Sequence, residues 1–173
     1  MTDNAKSQAM TLLETNETYA RQFQRKDLPS RPSRKVAVVT CMDARMDPLA
    51  MLGARLGDMH VIRNAGGRVT DDVIRSLVIS QQLLGTEEVL VIHHTDCGMM
   101  TFKNEDMVER LAATLGSDAA AAAETMDFLP FPDLAESVKE DVQKLKQSPL
   151  IPDHIRIFGG IYDVRSGKID LVD

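Results

Sequence analysis

Short apolar runs alternate with stretches of helical hydrophobic spacing along most of the chain. The apolar runs fall at residues 35–40, 59–63, 88–93 and 155–162. The helical spacing falls at residues 47–52, 70–84, 99–115 and 133–147. Continuous apolar runs are typical of strands buried on both faces of a parallel sheet, and the helices between them are typical crossover connections. The pattern therefore predicts an α/β fold whose sheet is mostly parallel.

Local signals add detail to several of these elements. The dipeptide Asp47–Pro48 begins the first short helix, and Thr70 is a suitable N-cap for the next one, which Gly85 would end. An alanine-rich stretch at 119–123 is predicted to be helical. Near the C-terminus, the turn Ser166–Gly167 separates two strand-like stretches, which predicts a hairpin that adds one antiparallel edge strand.

The N-terminal segment has a different pattern. Residues 4 to about 26 are polar, with apolar side chains at sparse helical spacing, including Met10, Leu13 and Phe23. Such a helix would contribute little to a core of its own, so we expect it to pack on a partner subunit. Helix-breaking residues follow at 28–33. We therefore divide the chain into a helical arm and linker at 1–34 and an α/β domain at 35–173, which contains the candidate functional residues described below.

Composition and charge narrow the function classes. With 173 residues, 43% of them hydrophobic, the chain is long enough for one well-buried domain. The balance of 20 Lys and Arg against 26 Asp and Glu gives a net charge of −6, and no dense basic stretch indicates a nucleic-acid partner. The sequence has neither an export signal nor an apolar run of membrane length, so we expect a cytoplasmic protein with no membrane partner.

The chain's two cysteines lie in short segments that each follow an apolar run. Cys41 belongs to the first segment, TCMDAR. Cys97 belongs to the second, HHTDCG, three residues after His94. Functional groups gather beyond the carboxyl ends of parallel strands, so we expect the two segments to share a site. Two thiolates and one imidazole are three zinc ligands, and they leave the fourth tetrahedral position to water, as in catalytic zinc sites.

Asp43 and Arg45 follow Cys41 at two-residue intervals, which in an extended chain places all three side chains on one side. Asp43 could then accept a hydrogen bond from zinc-bound hydroxide, while Arg45 holds the carboxylate in a charge-assisted pair. Without Arg45, Asp43 could become a fourth zinc ligand and close the site. Zinc on two thiolates acidifies water less than zinc on three histidines, so we expect activity to rise toward alkaline pH.

Each of these assignments has a simpler alternative. Cys41 and Cys97 could be buried apolar cysteines or form one disulfide, although a reducing compartment favours metal binding. Asp43 and Arg45 could be an ordinary structural ion pair. His93 could relay protons, but a packed or hydrogen-bonded neighbour of the site is the expected role. We expect ordinary structural roles for three further polar residues: His60, His154 and Asp96.

Residues 63–67, RNAGG, form a glycine-rich loop between a predicted strand and helix. The loop lacks the Lys and Ser or Thr of a P-loop, and Asp71 and Asp72 after it would repel an anion. We interpret its small residues as letting the backbone approach the metal pocket, with a plain tight turn as the alternative. The candidate pocket residues are Gly66, Gly67 and Gly98.

Three motifs, C-x-D-x-R in VVTCMDAR, RNAGG, and H-x-x-C in VIHHTDCGM, together resemble the beta-class carbonic anhydrases, in particular their compact microbial members. The resemblance extends from about Val36 through the closing IYDVRSGKIDLV. It implies a central sheet of four parallel strands plus an antiparallel edge strand, flanked by helices. It also implies a dimer or a multiple of dimers, with the N-terminal helix lying across the neighbouring subunit.

The same resemblance implies a reaction and roles for the motif residues. Cys41, His94 and Cys97 match the zinc ligands, with one Zn²⁺ per subunit, and Asp43 with Arg45 matches the catalytic dyad. The implied reaction is the reversible hydration of carbon dioxide to bicarbonate and a proton through attack by zinc hydroxide. The chain has no tryptophan, so we do not expect the tryptophan-dependent bicarbonate site of one subgroup.

Two other functions stay open at this point. Some relatives of this scaffold hydrolyse carbonyl sulfide or carbon disulfide with the same ligands, and no motif identifies the residues that line the access route. A zinc-binding protein without turnover, closed permanently by Asp43, is a more distant alternative. Assays of carbon dioxide hydration and of sulfide release separate these functions.

Overall fold

The computed structural model describes residues 7–172. Within them, five strands form one sheet: β1 Val36–Cys41, β2 Met59–Asn64, β3 Glu88–His94, β4 Arg156–Tyr162 and β5 Ile169–Val172. The order across the sheet is β2-β1-β3-β4-β5. The first three neighbouring pairs are parallel, and the β4–β5 pair is antiparallel. The predicted fold class, four parallel strands plus an antiparallel edge strand, is confirmed.

Six helices occur in the described part of the chain: α1 Gln8–Gln22, α2 Pro48–Met51, α3 Asp71–Gln82, α4 Asn104–Leu115, α5 Ser117–Glu124 and α6 Leu134–Gln147. Side-chain caps are present at the predicted starts of two of these helices, α2 and α3. The Asp47 side chain accepts hydrogen bonds from the first backbone amides of α2, and Thr70 accepts one from the amide of Val73 in α3. Of the arm helix predicted at 4 to about 26, residues 4–6 lie outside the described residues.

One helix prediction is wrong at its start. Helical spacing predicts a helix from residue 99, but Gly98–Met100 is a 3-10 turn and α4 begins only at Asn104. The carbonyl of Met99 accepts a hydrogen bond from the amide of Phe131, which ties this turn to a distant loop. The Asp106 carboxylate then accepts from the amide of Lys103 and caps α4 at its actual start.

The core lies on both faces of the sheet because side chains of a strand alternate between the two faces. On one face, Ala37, Val39, Val89 and Val91 of the central strands pack with α3 and α6, including Leu77 and Leu145. On the other face, Val38 and Ile92 pack in a cluster that also contains both cysteines and Phe131. The cysteine segments are therefore built into the second hydrophobic layer.

Helix α1 stands apart from this core, since none of its residues is buried. Its large apolar side chains, Met10, Leu12, Leu13 and Tyr19, are all more than half exposed. Among residues 7–172, no helix combines the length and apolar character that crossing a membrane requires.

Candidate metal centre

Cys41, His94 and Cys97 meet at the carboxyl end of the sheet. Cys41 is the last residue of β1 and His94 is the last of β3, and these strands are adjacent and parallel, so their ends coincide. Cys97 follows β3 by three residues. The potential ligand atoms of the three side chains all lie within 4.8 Å of one another, and all three residues are buried. Both cysteines are free thiols, so the disulfide alternative is not realised.

The orientation of His94 suits a metal ligand. Its Nδ1 lies 2.9 Å from the carbonyl oxygen of Thr95, which can only accept, so Nδ1 carries the proton and donates it. In the neutral ring the other nitrogen, Nε2, then carries the lone pair that a metal ion can bind. Nε2 is buried and has no hydrogen-bond partner among the described residues. Metal-ligating histidines usually have this arrangement, in which a backbone carbonyl fixes the second nitrogen.

The two thiols differ in acidity because they interact with each other. A hydrogen bond from Cys97 is the largest influence on Cys41, and with contacts from His94 and two backbone amides it lowers the pKa of Cys41 to about 4. The same interaction, followed by burial, raises the pKa of the Cys97 thiol. Burial opposes protonation of His94, but its contact with the Cys41 sulfur outweighs this and raises the pKa of His94. The interaction between the two sulfurs thus makes Cys41 the more acidic thiol, and metal binding requires both as thiolates.

Asp43 and Arg45 form a bidentate pair beside this cluster. Arg45 Nε donates to Asp43 Oδ1 at 3.0 Å, and Nη2 donates to Oδ2 at 2.7 Å. The guanidinium, followed by the backbone amide of Arg45, holds the pKa of the Asp43 carboxyl well below its usual range. Asp43 Oδ2 also lies 3.8 Å from Nε2 of His94. The carboxylate is therefore ionised and borders the three ligand atoms.

The predicted basis of this proximity, side-chain alternation along an extended chain, is wrong. Strand β1 ends at Cys41, and the chain turns at residues 44–45. In that turn the backbone amide of Arg45 donates to Asp43 Oδ1 at 2.9 Å, and the amide of Met46 donates to the Asp43 carbonyl. A local side-chain-to-backbone turn, rather than strand alternation, brings the pair together.

Two residues beside the cluster were not recognised from the sequence as part of it. Arg63 in β2 donates from Nε to the carbonyl of Cys41 at 2.9 Å and from Nη2 to that of Asp43 at 2.7 Å. Asp96, expected only as a turn or cap, accepts from Arg45 Nη1 at 2.7 Å. The sequence did contain a signal for Asp96, because it lies between the two proposed ligands His94 and Cys97. For Arg63 the contacts depend on strand pairing, which places it beside Thr40.

The glycine-rich loop packs directly against the end of β1. A Cβ atom at Gly67 would lie 2.9 Å from the backbone nitrogen of Cys41, and Gly67 has a φ of +72°. This close approach agrees with our interpretation of the small residues. A Cβ atom at Gly66 would instead lie 3.0 to 3.3 Å from side-chain atoms of Met99, Phe131 and Arg68, and a Cβ at Gly98 would meet open space. The assignment of these glycines to a substrate pocket stays a prediction.

The remaining histidines have the structural surroundings expected of them. His93 is fully buried, and its Nδ1 lies 2.8 Å from Ser137 Oγ in α6. His60 Nδ1 lies 2.7 Å from Ser80 Oγ in α3. His154 is exposed. Two surface clefts, of about 690 and 600 Å³, are lined by α4 and α5 and by α6 with β4 and β5, away from the cysteines.

Comparison with known proteins gives a consistent result. A family model described as carbonic anhydrase matches residues 36–169. Beta-carbonic anhydrase 1 of Mycobacterium tuberculosis is 43% identical over 160 residues, which cover 92% of this chain and 94% of that protein. The chain belongs to the beta-carbonic anhydrase family. It is accordingly an enzyme, and its family places it among the lyases.

Two further relatives describe the range of this beta-carbonic anhydrase family. The crystal structure of carbonic anhydrase from Streptococcus mutans superposes with a TM-score of 0.91 and 50% identity, covering 98% of this chain and 99% of that one. A carbon disulfide hydrolase of Acidithiobacillus thiooxidans is 34% identical over 158 residues, covering 79% of this chain and 76% of that protein. The sequence motifs alone had led to the same family.

Beta-carbonic anhydrases are zinc enzymes, and the residues of this one fit a zinc ion. The donor set of two sulfurs and one imidazole nitrogen is a usual zinc set. The ligand atoms converge, and the buried Nε2 of His94 lacks a hydrogen-bond partner within residues 7–172. Each of these features is explained by a metal ion between the three side chains.

Proposed function

We propose that this protein catalyses the reversible hydration of carbon dioxide to bicarbonate and a proton, with one Zn²⁺ per subunit held by Cys41, His94 and Cys97. One observation carries the proposal. Three ligand atoms converge within 4.8 Å, while the nearest carboxylate, Asp43, is occupied by Arg45. A site with three protein ligands keeps a fourth position for water, as catalytic zinc sites do.

Zinc in this position supplies a Lewis acid that lowers the pKa of water and so provides the nucleophile for carbon dioxide. The protein contributes the preparation of the ligands. The backbone amides of Asp43 and Gly66 help to lower the pKa of Cys41 and so favour its thiolate. The Thr95 carbonyl keeps the proton of His94 on Nδ1, so that Nε2 is free to bind.

Asp43 is proposed to orient the reacting water. Its Oδ1 accepts two hydrogen bonds, from Arg45 Nε and the Arg45 backbone amide, which occupy both of its lone pairs. Its Oδ2 accepts one, from Arg45 Nη2, and is the oxygen that lies 3.8 Å from His94 Nε2. An ionised carboxylate can only accept, so a water at Oδ2 must donate its proton there and direct a lone pair elsewhere. Arg45 keeps Asp43 ionised for this role.

The test is stopped-flow hydration of carbon dioxide on protein whose zinc content has been measured. We expect fast turnover that rises from neutral to alkaline pH and requires zinc. The Cys97→Ala variant, which lacks one proposed ligand, serves as the matched control and should be inactive. A fully zinc-loaded parent protein without turnover would refute the proposal.

Carbon disulfide hydrolysis is the second candidate. Its support is the 34% identity to the carbon disulfide hydrolase of Acidithiobacillus thiooxidans over 79% of this chain. The higher identity to carbonic anhydrases, 43% and 50%, makes carbon dioxide the preferred substrate. Sulfide release from carbon disulfide and carbonyl sulfide, measured beside carbon dioxide hydration on the same zinc-loaded protein, decides between them.

We also propose that residues 1–34 act as an arm for self-association, as a dimer or a multiple of dimers, and that 35–173 form the catalytic domain. The support is helix α1, which buries none of its residues and exposes Leu12 and Leu13 at 69% and 65%. Replacing both leucines with Glu should lower the mass measured by light scattering. A cytoplasmic location is supported by the two free thiols, which a reducing compartment maintains.

A further inference from the structure

A buried charged network lies behind the proposed metal centre and has no part in the reaction described above. Asp141 of α6 is 2% exposed. Its Oδ2 lies 2.9 Å from Nε of Arg68 and 3.2 Å from Nε2 of His93, and both partners are also buried. Removing charged groups from water costs free energy that their mutual attraction often fails to offset. Stability alone therefore does not explain why this network is buried.

Helix α6 places one side chain beside each nitrogen of the His93 ring. Ser137 and Asp141 are four residues apart and so lie on one side of the helix, facing His93. The Ser137 hydroxyl donates its only proton to the carbonyl of Leu134 at 2.8 Å, so its oxygen accepts from His93 Nδ1. The Asp141 carboxylate lies near the other nitrogen, with Oδ2 3.2 Å from Nε2. The His93 ring therefore lies between two residues of one helix.

Both partners of Asp141 contact the ring of Phe131, which is itself buried. The His93 ring stacks on it with centroids 5.4 Å apart, and Cζ of Arg68 lies 5.5 Å from its centroid. Stacked rings and a guanidinium over an aromatic face are both attractive arrangements. Asp141 thus lies beside both Arg68 and His93, the two side chains that pack on the Phe131 ring.

Phe131 in turn contacts the backbone that supports the two proposed thiolate ligands. A Cβ atom at Gly66 would lie 3.2 Å from Cε1 of Phe131 and 3.0 Å from Cγ of Met99. The carbonyl of Met99 accepts a hydrogen bond from the Phe131 amide at 3.1 Å. Gly66 precedes Gly67, whose Cβ position would lie 2.9 Å from the Cys41 nitrogen, and Met99 follows Cys97 by two residues. Phe131 belongs to one hydrophobic cluster with both cysteines.

We propose that Asp141 is a positioning residue of the metal centre, which acts through Arg68 and His93 on Phe131 and so fixes the backbone at Gly66 and Met99 beside the two cysteines. This inference rests on the metal site of the proposed function. The opposing possibility is an ion pair that stabilises α6 on the sheet and has no influence on the metal. Metal affinity separates the two, since it depends on the placement of the sulfurs.

The first test is the affinity of the full chain for Zn²⁺, measured by chelator competition, together with the sulfur-to-metal charge-transfer absorption of the Co²⁺ form. Asp141→Asn keeps the size of the side chain and removes its charge. We expect its affinity to fall by about 10- to 100-fold, the usual cost of losing an outer-shell partner, with a shifted Co²⁺ band. The matched control is Val138→Ala, a buried apolar position on the same helix that carries no charge or hydrogen-bonding side chain.

The control separates positioning from stability. Val138→Ala removes buried apolar atoms and should lower the free energy of unfolding, yet leave zinc affinity within threefold of the parent protein. A second variant, Arg68→Met with Asp141→Asn, leaves neither a buried unpaired guanidinium nor a buried unpaired carboxylate, because Glu140, the other partner of Arg68, is exposed. Stability should therefore recover relative to Asp141→Asn. Its zinc affinity should nevertheless stay at least about tenfold below that of the parent protein.

The proposal is overturned if zinc affinity follows stability across these variants, or if Asp141→Asn binds zinc with the affinity and Co²⁺ spectrum of the parent protein. Failure of the proposed function gives a different result, because a parent protein that binds no zinc at all refutes the metal site itself. If Asp141→Asn does not fold, the double variant alone decides the outcome.

Discussion

The carboxylate of Asp96 lies 2.7 Å from Nη1 of Arg45, although the two residues are 51 positions apart. Arg45 also donates from Nη2 to the backbone carbonyl of Asp96 at 3.0 Å. Since Arg45 holds Asp43 with its other edge, one guanidinium joins the segment of Cys41 to the segment of His94 and Cys97. Asp96 has a left-handed backbone, with a φ of +57°, which Asp and Asn tolerate better than most residues.

This relationship predicts a modest effect of Asp96→Asn. Asn keeps the left-handed conformation and the size of the side chain but removes a charge from an exposed pair, and exposed pairs contribute little. We expect kcat/KM for carbon dioxide to fall by about three- to tenfold, with zinc content unchanged. The control is Asp170→Asn, which removes a carboxylate of the edge strand β5 that is paired with Lys168. This variant should leave kcat/KM unchanged.

Asp43→Ala should have a much larger effect. The change removes the acceptor proposed to orient water but none of the three proposed ligands. We expect kcat to fall by about 100-fold or more, the range typical of a lost proton-accepting group, with one zinc per subunit retained. Stopped-flow rates and metal analysis on the same sample test this. Unchanged turnover would remove the Asp43–Arg45 pair from the mechanism.

Metal binding should stabilise the fold through Cys97. A ligand that binds only the folded state raises stability in proportion to the logarithm of its concentration over Kd, or about 4 kcal/mol at a thousandfold excess. Added zinc should therefore raise the Tm of the parent protein, and a chelator should reverse the rise. Cys97→Ala should show neither change in thermal denaturation, and an equal response of both proteins would contradict the assigned ligand.

The glycine-rich loop provides a test of backbone packing. Gly67→Ala places a Cβ atom 2.9 Å from the Cys41 nitrogen at a positive φ, so we expect a loss of about 2–4 kcal/mol in the free energy of unfolding. Gly53→Ala has a positive φ but no atom within 4 Å, and should cost about 1–2 kcal/mol. Gly98 has neither a positive φ nor an atom within 4 Å of the Cβ position, so Gly98→Ala should leave the free energy of unfolding nearly unchanged. Urea denaturation of the three variants should reproduce this order.

The free energy of unfolding should depend on pH through the carboxyl group of Asp163. The Ser166 hydroxyl, followed by the Arg165 amide, holds the pKa of the Asp163 carboxyl below its usual range. A pKa that is lower in the folded state means that the unfolded chain binds more protons. The stabilisation is therefore present above the ordinary carboxyl pKa and disappears as the pH falls through the lower, folded-state value.

The measurement compares metal-free parent protein with Asp163→Asn in urea from about pH 7 to about pH 3. We expect the difference in unfolding free energy to shrink as the pH falls. Ser166→Ala removes the largest contributor to the shift and should reduce the same pH dependence. A constant difference over this range would show that Asp163 is not stabilised as a carboxylate.

Patterns along the chain predicted most of the elements because neighbouring residues decide them. A buried strand needs consecutive apolar side chains, as at residues 36–41 and 88–94, and a cap such as Thr70 acts on the next few amides. The prediction failed at residues 99–103, where helical spacing is present. There the chain is held in another conformation by Phe131, which is distant in sequence.

The sequence by itself determined the order of strands and helices, the family, and the three side chains that converge at the end of the sheet, because motif spacing and the parallel sheet place them. Only the tertiary structure decided which groups surround them. The contacts of Arg45 with Asp96, of Arg63 with the Cys41 carbonyl, and of Asp141 with Arg68 and His93 each join separate elements. Periodicity reports which face of an element is buried, whereas these contacts depend on how whole elements pack.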